Sequence, residues 1–452
     1  MITPSRFFLL ALLCSLTSFA QEYKAGVGRA DITPTEPVWL GGYEARRAPA
    51  AEVEQPINVK ALAIQDATGA TTLIVTADTI GTPRIFAEGI AARIERELHI
   101  PRERFLLACS HSHATPVIWP ALIDMYPLDE EQRAALGRYA DYFEDQTLVA
   151  AWNAVADLQP ARLQFSRGQA GFAANRRAFG PKGVGFGVNP NGLVDHDVPV
   201  LRVLGEKDAL RAVVLGYACH CTTLGGDFMK VCGDWAAFAE TYLEEAYPGA
   251  TALFITGCGA DANPNPRGTV ALSRQHGLEL AGAVSHALKQ PPVNINGPIN
   301  VAFDRVELPI STPPTKEEFA AKVDDKRGAV QRHARRHLEM IERGEKLMSS
   351  YPCPVQVLRF GKDLTLVALG GEVVVDYSYR LRRELPAERL WVAAYCNDVF
   401  AYVPSMRILA EGGYEAEFNL IYYGLPARFA PEVEDTLVKK VIELTKRTAE
   451  AK

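Results

Sequence analysis

After its first residues the chain has no apolar stretch approaching 18 residues, about the length a helix needs to cross a hydrocarbon core of about 30 Å, so no transmembrane anchor is expected. A basic excess is also missing. Lys and Arg number 48 against 54 Asp and Glu, a net charge of −6, which removes the electrostatic footprint of a nucleic-acid binder. There is no nucleic-acid motif, no tandem repeat and no sharp compositional boundary. Cysteine is scarce: of eight, Cys14 lies in an N-terminal leader, and eight less one leaves an odd number, so at least one stays unpaired. Cys109, Cys219, Cys221, Cys258 and Cys396 sit in or beside apolar runs, the setting of small buried thiols. A Cys219 to Cys221 disulfide is disfavoured, because residues two apart on one strand rarely meet disulfide geometry.

What is present describes a large globular enzyme rather than a binding module. A hydrophobic content of 48% with 23% charged residues is enough for a sizeable core, and 452 residues suit one large α/β unit or up to three smaller domains. Strand-like runs at 61–64 and 72–75, another ending at 105–107, and one at 252–255 alternate with helical periodicity near 86–98, 143–158, 238–246 and 278–288. The expectation is an α/β fold, with mixed β-sheets covered by helices in a single domain over residues 21–452. Within it, Thr315-Lys316-Glu317-Glu318 is a capping box that opens a charged helical insertion at about 314–348. Lys326, Arg327, Arg335 and Arg336 are expected there on a long, solvated helix. Residues 1–20 read as a signal peptide, with Arg6, the apolar run 7–13 and the small residues Ser18 and Ala20 before Gln21. The protein is therefore expected to be exported, either periplasmic or secreted.

The chemistry concentrates at the ends of strand-like runs, where open α/β sheets assemble their sites. Ser110-His111-Ser112-His113 follows one run, and residues two apart on a strand project to the same face. His220 ends the run 212–219. Glu372 follows the run 364–369, and Tyr402 lies beyond the run 390–394. Taken singly, each has a bland reading as a satisfied core histidine, a loop carboxylate or a core aromatic.

Ordered blocks change that balance. The opening Gly26-Val27-Gly28-Arg29-Ala30-Asp31 and Gly41-Gly42-Tyr43, the paired histidines, and Asn175-Arg176-Arg177 come first. Cys219-His220-Cys221-Thr222, Gly233-Asp234-Trp235 and Gly259-Ala260-Asp261-Ala262-Asn263 follow, then Gly371-Glu372, Cys396-Asn397, Tyr402 and Gly413-Tyr414-Glu415. Together they resemble the neutral and alkaline non-lysosomal ceramidase family over nearly the whole mature length. The resemblance implies one zinc ion at the strand ends, held by His111, His220, Glu372 and Tyr402. It places His113 behind the metal ligands or at the substrate carbonyl, implies catalytic roles for His113, Asp261 and Asn263, and implies substrate binding by Arg176, Asp234 and Trp235. Two imidazoles, a carboxylate and a phenolate suit zinc. Asn263 stands where the family carries a serine, so an acyl-serine route is closed while metal-activated water is not. The immunoglobulin-like C-terminal domain of the family is not expected in these 452 residues.

The reading that follows is an exported zinc-dependent hydrolase that cleaves the amide bond of a ceramide-like N-acyl compound. Its partner is a small-molecule or lipid-like substrate. The alternatives are a carbohydrate-active enzyme on the same scaffold, acting on a glycan and prompted by Asn263 and by Trp119 and Trp235 near the motifs, and a metal-binding relative without activity.

Overall fold

The computed structural model describes residues 23–385 and 389–450; the signal-peptide expectation for residues 1–20 lies outside them. Nine strands form the main sheet: Tyr23–Asp31 (β1), Asn58–Gln65 (β2), Thr71–Ala77 (β3), Phe105–Cys109 (β4), Gln159–Gln169 (β5), Asp197–Leu204 (β6), Leu210–Tyr217 (β7), Thr251–Thr256 (β8) and Val293–Ile295 (β9). They run in the order β8-β7-β6-β5-β1-β2-β3-β4, with β9 on β5. The pairs β7/β8 and β3/β4 are parallel and the others antiparallel. A second sheet follows, β10 (Ile299–Pro309), β11 (Ser350–Phe360), β12 (Leu364–Leu369) and β13 (Leu390–Ala393), paired in that order.

Side-chain alternation makes these sheets into layers. On β2, Val59, Ala61 and Ala63 face helices α1 (Arg84–Leu98) and α2 (Glu130–Ala156), while Leu62 and Ile64 face Leu358, Leu366 and Trp391 of the second sheet. Helices α3 (Asp234–Ala246) and α4 (Val270–Lys289) cover β6 to β8 on the same outer side as α1 and α2. The far face of the second sheet packs on Leu437, Val441 and Leu444 of the helix Val433–Glu450. The order is helix, sheet, sheet, helix, which is the mixed α/β architecture expected.

Contact between β1 and α2 is backbone to backbone. A Cβ on Gly28 would lie 2.0 Å from the Ala150 carbonyl oxygen, and one on Gly26 2.2 Å from that of Ala154. Gly28→Ala must lift the helix off the strand, and a loss of about 3 kcal/mol is expected from overpacking of this kind. Urea unfolding checks it; a midpoint equal to that of wild type would contradict the contact.

The two edge strands of the main sheet meet. Thr256 Oγ1 at the end of β8 donates to the Cys109 carbonyl at the end of β4, 2.7 Å. Segment 393–397 lies across the junction, with Ala394 N donating to Thr256 O at 2.9 Å and Asn397 N to Leu107 O at 2.7 Å. Closure in this way gathers the C-terminal ends of β4, β7, β8, β12 and β13 at one place.

Element starts differ from expectation where polar caps decide them. Helix α2 begins at Glu130 rather than 143, because Asp129 and Gln132 form a capping box. Helix α4 begins at Val270 rather than 278, capped by Thr269. The charged stretch at 314–348 forms two helices, α5 (Lys316–Ala320) behind the expected capping box and α6 (Gly328–Glu342). It is not a solvated helix throughout. Ala329, Val330, His333, Ala334 and His337 are buried, and Arg336 pairs with buried Asp124 at 2.5 Å. All seven described cysteines are buried and free. No helix among the described residues is long and apolar enough to cross a membrane.

Candidate metal centre

Strand β4 ends at Cys109, so His111 and His113 lie in the loop beyond it, and strand alternation is not what brings them together. His111 has a left-handed backbone, φ 59°, and its N–H donates to Thr79 O at 2.9 Å. Its Nδ1–H donates to the Ile80 carbonyl, and His220 Nδ1–H donates to the Gly259 carbonyl at 2.9 Å. Carbonyls only accept, so both imidazoles keep their proton on Nδ1 and present a lone pair on Nε2.

Both lone pairs point at one carboxylate. Glu372 Oε2 lies 3.1 Å from His111 Nε2 and 3.1 Å from His220 Nε2. Its register partner across a two-residue parallel pairing is Tyr402, whose hydroxyl is 3.0 Å from His220 Nε2. Tyr423 donates to the other oxygen of Glu372 at 2.6 Å. Burial and then the Arg176 charge lower His220 to about 4, so it is neutral at ordinary pH.

Three electron-pair donors thus converge with no proton between the two nitrogens and the oxygen, an arrangement that repels itself unless a cation sits among them. The donor set fits a divalent ion of the zinc type. Tyr402 is different: burial holds its phenol well above 10, with Arg176 opposing, so within this chain it stays protonated and donates to His220. A bound cation would displace that proton.

His113 completes a group of three imidazoles whose ligand atoms lie within 4.8 Å of one another, its Nε2 3.2 Å from that of His111. Unlike the other two, it is not locked by a carbonyl. Its Nδ1 has no hydrogen-bond partner among the described residues and abuts Gly42, where a Cβ would stand 2.1 Å away. Gly42, at φ 90°, is the glycine that this ring requires.

Arg176 joins the cluster to a buried ion-pair group. Its Nε donates to Glu415 at 2.9 Å, Nη2 to the Tyr402 hydroxyl at 2.9 Å and Nη1 to Asn263 Oδ1 at 3.2 Å. Arg177 donates to the other oxygen of Glu415 at 2.6 Å. The pair is therefore not a solvated basic patch. Asn263 Oδ1 also accepts from Thr222 at 3.0 Å, which leaves its Nδ2 as the side-chain donor.

A cavity of about 570 Å³ opens onto the cluster, lined by His113, Arg176, Asn263 and Tyr402 among others. The buried His111, His220 and Glu372 do not line it, and neither do three residues expected to serve catalysis or substrate binding. Asp261 is buried, accepting from Val375 N at 2.9 Å and Asn175 Nδ2 at 3.1 Å, and so ties Arg176's neighbour to the Glu372 segment rather than facing substrate. Asp234 is buried at the start of α3, with φ 55°, and accepts from Leu224 N, Trp235 N and Ser273 Oγ. Trp235 is fully buried; its Nε1 donates to the His220 carbonyl at 3.0 Å and so braces His220, which Asp234 reaches only through Trp235.

Glu415 and Tyr423 carry site roles that the sequence reading does not assign. Gly413-Tyr414-Glu415 was a visible block without a role, and Tyr423 has no signal of its own.

The family described as neutral/alkaline non-lysosomal ceramidase, N-terminal, matches residues 23–307. No curated protein matches the sequence. Among solved structures, a neutral ceramidase from Pseudomonas aeruginosa superposes with a TM-score of 0.71 at 18% identity, over 94% of this chain and 74% of that one. A structure described as ceramidase complexed with C2 gives 0.71 at 17% identity, over 95% and 75%. These likenesses concern the fold. The family match spans more than half of the 452 residues, and the chain belongs to the neutral/alkaline non-lysosomal ceramidase family.

Proposed function

We propose that this protein hydrolyses the amide bond of an N-acyl compound, with ceramide-like lipids as the first class to test, and that it does so outside the cytoplasm with zinc. Family membership supports an amide-bond hydrolase, and the relatives are named ceramidases. The observation that carries the reading is the convergence of His111 Nε2, His220 Nε2 and Glu372 Oε2 beside His113 and Tyr402, two residues that line the cavity.

A divalent cation held by His111, His220, Glu372 and Tyr402 would supply Lewis acidity to a carbonyl oxygen and lower the pKa of water. The remaining work falls to the chain's own groups. His113, with an unlocked ring facing the cavity, is the residue to carry a proton to the leaving nitrogen. Asn263, its carbonyl engaged by Arg176 and Thr222, turns an N–H donor toward the substrate, where charge builds on oxygen. Arg176 holds Asn263, Tyr402 and Glu415 in one frame. The aromatic part of the carbohydrate reading loses its support, since Trp235 is buried in one core cluster and Trp119 packs against another; neither lines the cavity.

Enzyme reloaded with zinc is expected to release fatty acid from an N-acyl sphingoid panel, and chelation is expected to lower that rate at least about a hundredfold. Turnover of glycosides alone, or a rate indifferent to chelation, would defeat the proposal.

A further inference from the structure

One cation in the cavity is not used. Arg267 lines the cavity and is exposed, and its Nη2 donates to the Tyr43 hydroxyl at 2.8 Å. Among the described residues no carboxylate pairs with it. The other charged groups of the lining are committed: Arg176 to Glu415, and Glu44 through both oxygens to Ala329 N at 3.2 Å and the Tyr422 hydroxyl at 2.9 Å.

The cavity lining is unlike from place to place. Apolar Ala174 and Phe186 lie beside Asn263 and Arg176, with Val188 and Pro264 near them in the chain, and suit an acyl chain, whereas Tyr43 is hydrogen-bonded to Arg267 on a polar side. His113 stands at the polar side, its ring edge-on to Tyr43 with centroids 5.0 Å apart. The amine part of the substrate therefore leaves past His113 toward Arg267, one tyrosine side chain further out.

We infer that Arg267 forms an anion subsite, and that the preferred substrates are N-acyl compounds whose amine portion carries a carboxylate or another oxyanion. This deepens the amide-hydrolase reading and rests on it for the direction of the chain. A guanidinium offers a fork of donors matched to an oxyanion, and a cation with no internal acid loses nothing by pairing with one.

The test uses the zinc-loaded full chain and N-octanoyl derivatives of glycine, γ-aminobutyrate and ε-aminohexanoate, each beside the amino alcohol of the same length. Affinity is read by calorimetry and turnover as kcat/KM. At the best spacing the acid is expected to bind about tenfold tighter than its alcohol, the range of a charge-assisted hydrogen bond. That ratio should shrink with added salt and fall to near one in Arg267→Gln, while Arg267→Lys keeps part of it. A ratio of one in the wild type, or one unchanged in Arg267→Gln, overturns the subsite. Cleavage without charge preference leaves the amidase reading standing and removes the subsite. Charge-selective binding without cleavage of any probe does the reverse.

Discussion

His111→Ala and His220→Ala are each expected to yield protein without bound zinc and to lower amide turnover by about a thousandfold or more, whereas His113→Ala keeps the metal and loses about a hundredfold. The difference comes from the second nitrogen of each ring. Ile80 and Gly259 carbonyls hold the Nδ1 protons of His111 and His220, so in the neutral rings it is Nε2 that presents an electron pair. His113 has no carbonyl on its Nδ1, and only its Nε2 has a partner, His111 Nε2 at 3.2 Å. Metal content by elemental analysis beside turnover separates the two classes. Loss of zinc from His113→Ala would make it a ligand, and retained zinc in either of the other variants would remove the proposed centre.

Arg176→Met is expected to cost about 3 kcal/mol in denaturant unfolding and to abolish measurable turnover, although the residue touches no proposed reacting atom. Removing its guanidinium leaves Glu415 buried with Arg177 alone and takes a donor from both Tyr402 and Asn263. Arg176→Lys should rescue little, because a single ammonium cannot span acceptors held by three different nitrogens. A double-mutant cycle with Glu415→Gln should return a coupling of roughly 1 kcal/mol or more. Wild-type stability and turnover in Arg176→Met would show that the buried group is not the frame of the site.

That residues 111, 220, 372 and 402 come together was legible from their sequence blocks, but the physical route to it was not. Alternation on a strand was the natural reason for His111 and His113 to converge; the fold uses a left-handed residue in a loop instead. Asp234 and Trp235 lie beside motif residues, and nothing in a sequence says whether such a neighbour points into a cavity or braces a ligand from behind. Glu415 lies 239 positions from Arg176, and Tyr423 51 from Glu372, distances at which no local pattern reports a hydrogen bond. The eleven-residue strands β10 and β11 mix polar with apolar residues, and it is their mutual pairing that makes them sheet.

Because segment 393–397 seals the main sheet edge to edge, and two of the four proposed donors come from 372 and 402, assembly waits on the last part of the chain. Strands β4 and β8 both precede residues 372 and 402 in the chain, so they are made before either late donor exists. A metal held by the four proposed donors would therefore have to wait for residues 372 and 402, and a fragment lacking them would leave the edges of β4 and β8 unbridged by segment 393–397, an invitation to aggregation rather than half an enzyme.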